Sequence, residues 1–82
     1  HMQNKMDELE FDNDIYNTIR SNIRKYRKEK GLTAAQLAEM VNLSHDFIRQ
    51  IESEKVKGSF SVETLYKIAI ALGVSLDKLI EK

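Results

Sequence analysis

Four times along this chain an apolar residue precedes a serine or threonine, and a second apolar residue stands five positions after the first. The pairs are Leu32 and Leu37 around Thr33, Leu43 and Ile48 around Ser44, Phe60 and Leu65 around Ser61, and Val74 and Leu79 around Ser75. This is the staple of a helix N-terminus. The hydroxyl accepts from one of the first free amides, while the two apolar side chains clasp the incoming strand of chain. At Thr33 a glutamine three residues on, Gln36, completes a capping box. Repeats at such short intervals leave space only for short helices joined by tight turns.

The other end signals agree. Gly31 and Gly73 each follow an apolar-periodic segment, where a helix needs a residue at ease with positive φ. There is no proline and no long β-like alternation, so the chain reads all-α. A first helix is expected from about Asp14 to Lys30, with Ile15, Ile19, Ile23 and Tyr26 on one stripe. The bases Lys28 and Lys30 suit the negative end of its dipole. Four more helices then start after Thr33, Ser44, Ser61 and Ser75, the fourth with Val62, Leu65, Ile68, Ala69 and Leu72 inward. The fold class is a compact bundle of five short helices.

With 82 residues, the chain is one domain at most. A domain this small buries only roughly 60% of the surface its open chain exposes. Neither disulfide nor thiolate metal site can brace it, because Cys is absent, so the 41% of apolar residues must suffice. No apolar run is long enough to span a membrane and no secretory leader is visible, so a cytoplasmic location without membrane contact is expected. His1-Met2 reads as an expression-vector remnant. Residues 1–13 lack a regular apolar stripe and are expected to be disordered or loosely packed, with the folded domain over 14–82. The sequence has no glycine-rich phosphate loop, no metal-ligand cluster and one histidine, His45, beyond the vector remnant. No enzyme, cofactor or metal is expected.

The 13 bases and 13 acids cancel overall but are unevenly spread. Residues 1–14 carry a net −4 and residues 15–82 a net +4, with six bases between Arg20 and Lys30. A basic domain behind an acidic leader fits a polyanion partner.

Only Asn42 and Leu43 separate the second helix from the cap of the third. So tight a turn sends the third helix across the second at a large angle. Ala38 supplies the small residue where they approach, and Asn42 can adopt the left-handed turn conformation. With Leu37, Val41, Leu43, Ile48 and Ile51 inward, residues 34–53 fit a helix-turn-helix whose second helix enters the DNA major groove.

The chain also resembles the phage-repressor (Cro/XRE-type) helix-turn-helix family. The resemblance runs over about Ile23 to Ile80, through Ile23-Arg24-Lys25-Tyr26-Arg27, Gly31-Leu32-Thr33, Leu37-Ala38, Leu43-Ser44, Ile48-Arg49-Gln50-Ile51-Glu52, Glu63 to Ala69 and Leu72-Gly73-Val74-Ser75-Leu76. It implies a lambda-repressor-like DNA-binding domain that commonly acts as a two-fold dimer. Carried over residue by residue, the base-reading positions fall on His45, Asp46, Arg49 and Gln50. Gln50 suits adenine, Arg49 guanine or a phosphate, and Asp46 can accept from cytosine while repelling wrong partners. Phosphate contacts are implied at the start of the second helix, Thr33 and Ala34, and at Ser53, Lys55 and Lys57. Arg27 and Glu52 match an ion pair that orients the recognition helix, and Phe60, Leu76, Leu79 and Ile80 match the end through which copies associate. Two departures stand out. Ala34 replaces a polar residue, often Gln, and the stretch from Glu54 to Phe60 is about two residues longer, with Gly58 in place of Pro.

The function implied is a sequence-specific transcriptional regulator, most simply a repressor bound as a homodimer to a palindromic operator in double-stranded DNA. A second reading is an antitoxin-like module that holds a protein partner and also binds its own promoter. The acidic leader would then be the segment that folds on a basic partner.

Overall fold

Each of the four expected caps holds a helix start in the computed structural model, which describes residues 15–53 and 60–82. Among these residues the chain forms α1 (Ile15–Glu29), α2 (Ala34–Val41), α3 (His45–Glu52), α4 (Val62–Leu72) and α5 (Leu76–Ile80). The hydroxyls of Thr33, Ser44, Ser61 and Ser75 accept from the amides of Gln36, Phe47, Thr64 and Lys78 at 3.0, 3.0, 3.1 and 3.3 Å. The Gln36 side chain returns the favour by accepting from the Thr33 amide at 2.8 Å, closing the capping box. The apolar partners of the caps also pack as staples require. Leu37, Ile48 and Leu79 are buried, and Leu32, Leu43, Phe60, Leu65 and Val74 lean against the same core.

The turn between α2 and α3 depends on one residue. Asn42 sits at φ 58, ψ 43, the left-handed region that L-residues enter reluctantly. Its amide donates to Ala38 and Glu39, and the Leu43 amide donates to Ala38 at 2.9 Å. Two of the terminal carbonyls of α2, those of Ala38 and Glu39, are thereby satisfied and the chain is turned at once into α3. Gly73 closes α4 in the same way at φ 69.

The core draws on every helix. Ile19 and Ile23 of α1 meet Leu37, Ala38 and Val41 of α2, Ile48 and Ile51 of α3, Ile68, Ala69 and Leu72 of α4, and Leu79 of α5. α1 packs on α3, α4 and α5. Asn22 fastens the last of these contacts by donating to the carbonyls of Leu79 and Glu81 at 2.8 and 2.7 Å.

Two expectations need correction. Val62 is 74% exposed rather than inward, because it lies on the row of Tyr66 and Ile70, one turn apart, which faces away from the core. Leu79 is fully buried beneath α1, so it has no surface to offer a second copy. The acidic segment 1–13, and Asp14 as the start of α1, lie outside the described residues. No helix among the described residues is long and apolar enough to cross a membrane.

Candidate nucleic-acid interface

α3 divides by period into two faces. Ile48 and Ile51 are buried and Phe47 is half-buried, so the helix is anchored along one side. His45, Asp46, Arg49 and Gln50 are exposed along the other, and together they form one continuous outward row. Asp46 stands in the first turn, where its charge favours the positive end of the helix dipole. The same position leaves its carboxylate accessible.

The far end of α3 is held by an ion pair. Arg27 Nε donates to Glu52 Oε2 at 2.7 Å and Nη2 donates to Oε1 at 2.8 Å, a two-point contact that fixes the angle between the planes. The third nitrogen, Nη1, donates to the carbonyl of Leu32 at 2.8 Å. One guanidinium therefore joins α1, the entry to α2 and the end of α3. The two side chains keep only 12% and 8% of their exposure. The hydrogen bonds that Arg27 donates to Glu52 raise its pKa above the ordinary value; burial opposes this and the Glu52 charge adds to it.

Beside the row of exposed α3 residues is an open cleft walled by Arg24, Arg27, Ala34, His45, Arg49, Glu52 and Ser53. Glu52 balances Arg27, so Arg24 and Arg49 give the cleft its positive character. The start of α2 forms one wall. The first bond inside that helix runs from Leu37 to the Thr33 carbonyl, so the amides of Ala34 and Ala35 have no acceptor within it. The Thr33 amide is committed to Gln36. Of the two residues expected at a phosphate here, Ala34 offers its backbone and Thr33 its hydroxyl.

Ser53 caps the end of α3, half-buried, with its amide bonded to the Gln50 carbonyl at 3.1 Å. Lys55 and Lys57 lie outside the described residues. Phe60 is half-buried, with its ring edge-on to Tyr16 at 5.7 Å between centroids. Leu76 and Ile80 are exposed, at 38% and 47%.

Sequence reasoning missed Arg20. In the sequence it is one charge among six in a basic run, yet in the fold it is only 4% exposed. Its Nη1 donates to the carbonyls of Gln50, Ile51 and Ser53 at 3.1, 3.0 and 3.3 Å. The spacing held a signal: Arg20 lies seven residues, two turns, before Arg27 and flanks Ile23 on the same face.

A helix-turn-helix family model matches residues 23–79, which takes in the end of α1 and nearly all that follows. The immunity repressor protein of Bacillus phage phi105 is 38% identical over 63 residues, covering 77% of this chain and 42% of that protein. The HTH-type transcriptional regulator SinR of Bacillus subtilis (strain 168) is 31% identical over 64 residues, covering 78% of this chain and 57% of that protein. The chain thus spans about half the length of these curated relatives. Its backbone is also similar to the crystal structure of SinR, described as the master regulator for biofilm formation, in complex with DNA. There the TM-score is 0.70 at 32% identity, over 77% of this chain and 98% of that one. By its matched span and by the architecture around α2 and α3, the chain belongs to the helix-turn-helix family of the Cro/XRE type.

Proposed function

We propose that this chain binds duplex DNA with sequence preference and regulates transcription, most simply as a repressor that occupies a two-fold operator as a dimer. One observation carries the reading. α3 is fixed at its start by Ser44, at its end by Arg27 and Glu52, and along one side by Ile48 and Ile51, while His45, Asp46, Arg49 and Gln50 are all exposed on the other. A helix so held can enter a major groove without reorganising, and the four side chains are of the types that read base edges.

The roles divide by chemistry. Gln50 can pair with adenine through two hydrogen bonds, Arg49 with guanine, Asp46 with the cytosine amino group, and His45 can donate or accept. Arg24, the free amides at the start of α2, Ser53, Lys55 and Lys57 take the phosphates and set the register. Leu76 and Ile80, with Phe60 at the margin, are the residues through which two copies meet. The phage immunity repressor and the DNA-bound regulator SinR, to which the chain is similar, support this reading.

Selection of binding sites from random duplex, followed by titration of the best site, tests it. A dimer neutralising three or four phosphates per subunit gives a slope of log K against log salt of roughly −5 to −7. A preference for one duplex at that slope is the expected result. Binding that ignores both salt and sequence would remove the proposal.

A further inference from the structure

We infer that Arg20 is a positioning residue for the recognition helix, a role distinct from phosphate or base contact. The inference rests on the DNA-binding reading above and adds what holds the reading face in register. Its geometry is that of a C-terminal cap supplied from another helix. The carbonyls of Gln50 and Ile51 in the last turn of α3, and of Ser53 at its cap, lie where the helix runs out of regular amide partners, and that of Gln50 also accepts from the Ser53 amide. They converge on Nη1 of a guanidinium that solvent hardly reaches.

A positive charge at that end also opposes the negative pole of the helix dipole. The Phe60 ring covers the guanidinium, with its centroid 5.5 Å from Cζ, and Tyr16 braces that ring from the side. Arg20 therefore links α1, the end of α3 and Phe60, the first described residue after 54–59.

Its place relative to the ion pair gives the device its effect. Arg27 grips the Glu52 side chain, but a side-chain grip alone leaves the backbone of the last turn free to unwind or tilt. Arg20 grips that backbone directly, at Gln50 itself and at the next residue. The direction in which Gln50 and Arg49 leave α3 is thus referred to α1 through two guanidinium groups seven residues apart. An arginine that met DNA would sit at the surface with its nitrogens turned outward. This one is enclosed and turned toward carbonyls.

The test uses the whole chain with Arg20→Met and Arg20→Lys, on the best duplex from the selection and on a scrambled duplex of equal length, well below the melting temperature. Arg20→Met is expected to lower the ratio of specific to non-specific affinity by about tenfold, the scale of one lost charge-assisted contact. The slope against salt should stay at its wild-type value, because no phosphate contact is removed. Amide exchange at Ile51, Glu52 and Ser53 should quicken while that of α4 and α5 holds. Arg20→Lys keeps charge and donors but lacks the flat face for Phe60, so it recovers part of the loss.

A slope reduced by about two units, one for each subunit of the dimer, would make Arg20 a phosphate contact and overturn the inference. So would unchanged specificity, or exchange that quickens equally in every helix. Should Arg20→Met not fold, Arg20→Lys decides: faster exchange confined to the last turn of α3 supports the role, and wild-type exchange ends it. Should the wild-type chain prefer no duplex, the DNA reading fails by itself, and the exchange pattern alone judges the clamp.

Discussion

Glu52 and Arg27 are most informative when only one of them is removed. Their side chains are nearly enclosed, and Arg27 has a second obligation to the Leu32 carbonyl. Glu52→Gln therefore leaves a charge with half its partners inside the protein, at a cost of about 3 kcal/mol in denaturant unfolding. Replacing both, as Arg27→Met with Glu52→Leu, should recover much of that loss, because the cost lies in the orphaned charge. The pH dependence follows from the sign of the shift. Arg27 has its pKa raised on folding, so its contribution is complete below its ordinary value and fades only as pH climbs through the still higher folded one. Arg27 thus adds no slope to stability across neutral pH. Exposed arginines should behave differently again. Arg49→Ala is expected to relax sequence choice at one base pair by about 1–3 kcal/mol. Arg24→Ala should weaken all duplexes alike and reduce the salt slope of a dimer by about two, one for each subunit. Competition titrations against single-substituted duplexes separate the two.

At the scale of the element, the turn between α2 and α3 concentrates the demands of the fold in Asn42. Asn42→Gly should be neutral to within a few tenths of a kcal/mol, since glycine enters the left-handed region freely. Asn42→Val should cost about 1–2 kcal/mol, because a β-branched side chain crowds the backbone there. Thermal melts of the two variants give the comparison directly. The same scale explains why the helix starts were legible in the sequence. A cap bonds to an amide three residues away and a staple closes over five, so both are written in neighbouring letters. The face that a side chain takes against the rest of the protein is not. Val62 fits the apolar period of α4 but lies on its outer row, and Arg20 sits in a charged run yet turns inward to carbonyls thirty and more residues away. The exposed row of α3 was legible because its period is short and its inward partners, Ile48 and Ile51, are strongly apolar. The residues that hold α3 in place were legible only where the family resemblance named them, as for Arg27 and Glu52.

Across the whole molecule, α1 works as a spine. Arg20 and Arg27 hold the two sides of the end of α3, while Asn22 holds the last turn of α5 by its carbonyls. The exposed row of α3 and the end proposed to pair two copies are thus built on one helix, so a shift of either is felt through the same support. This separates two kinds of damage at α5. Leu79 is core, and Leu79→Asp should unfold the chain. Ile80 is 47% exposed, so Ile80→Asp should leave each subunit folded, with helix content close to wild type and a melting temperature lowered only by any lost pairing. If two copies meet through Ile80, that variant should sediment as a monomer where the wild type is a dimer. A lone subunit makes half the phosphate contacts, so the salt slope should also fall by roughly half. Both changes must appear together. Loss of the slope without loss of the dimer would mean that Ile80 touches DNA, and an unchanged dimer with an unchanged slope would move the pairing surface elsewhere, to the exposed row of Val62, Tyr66 and Ile70 on α4.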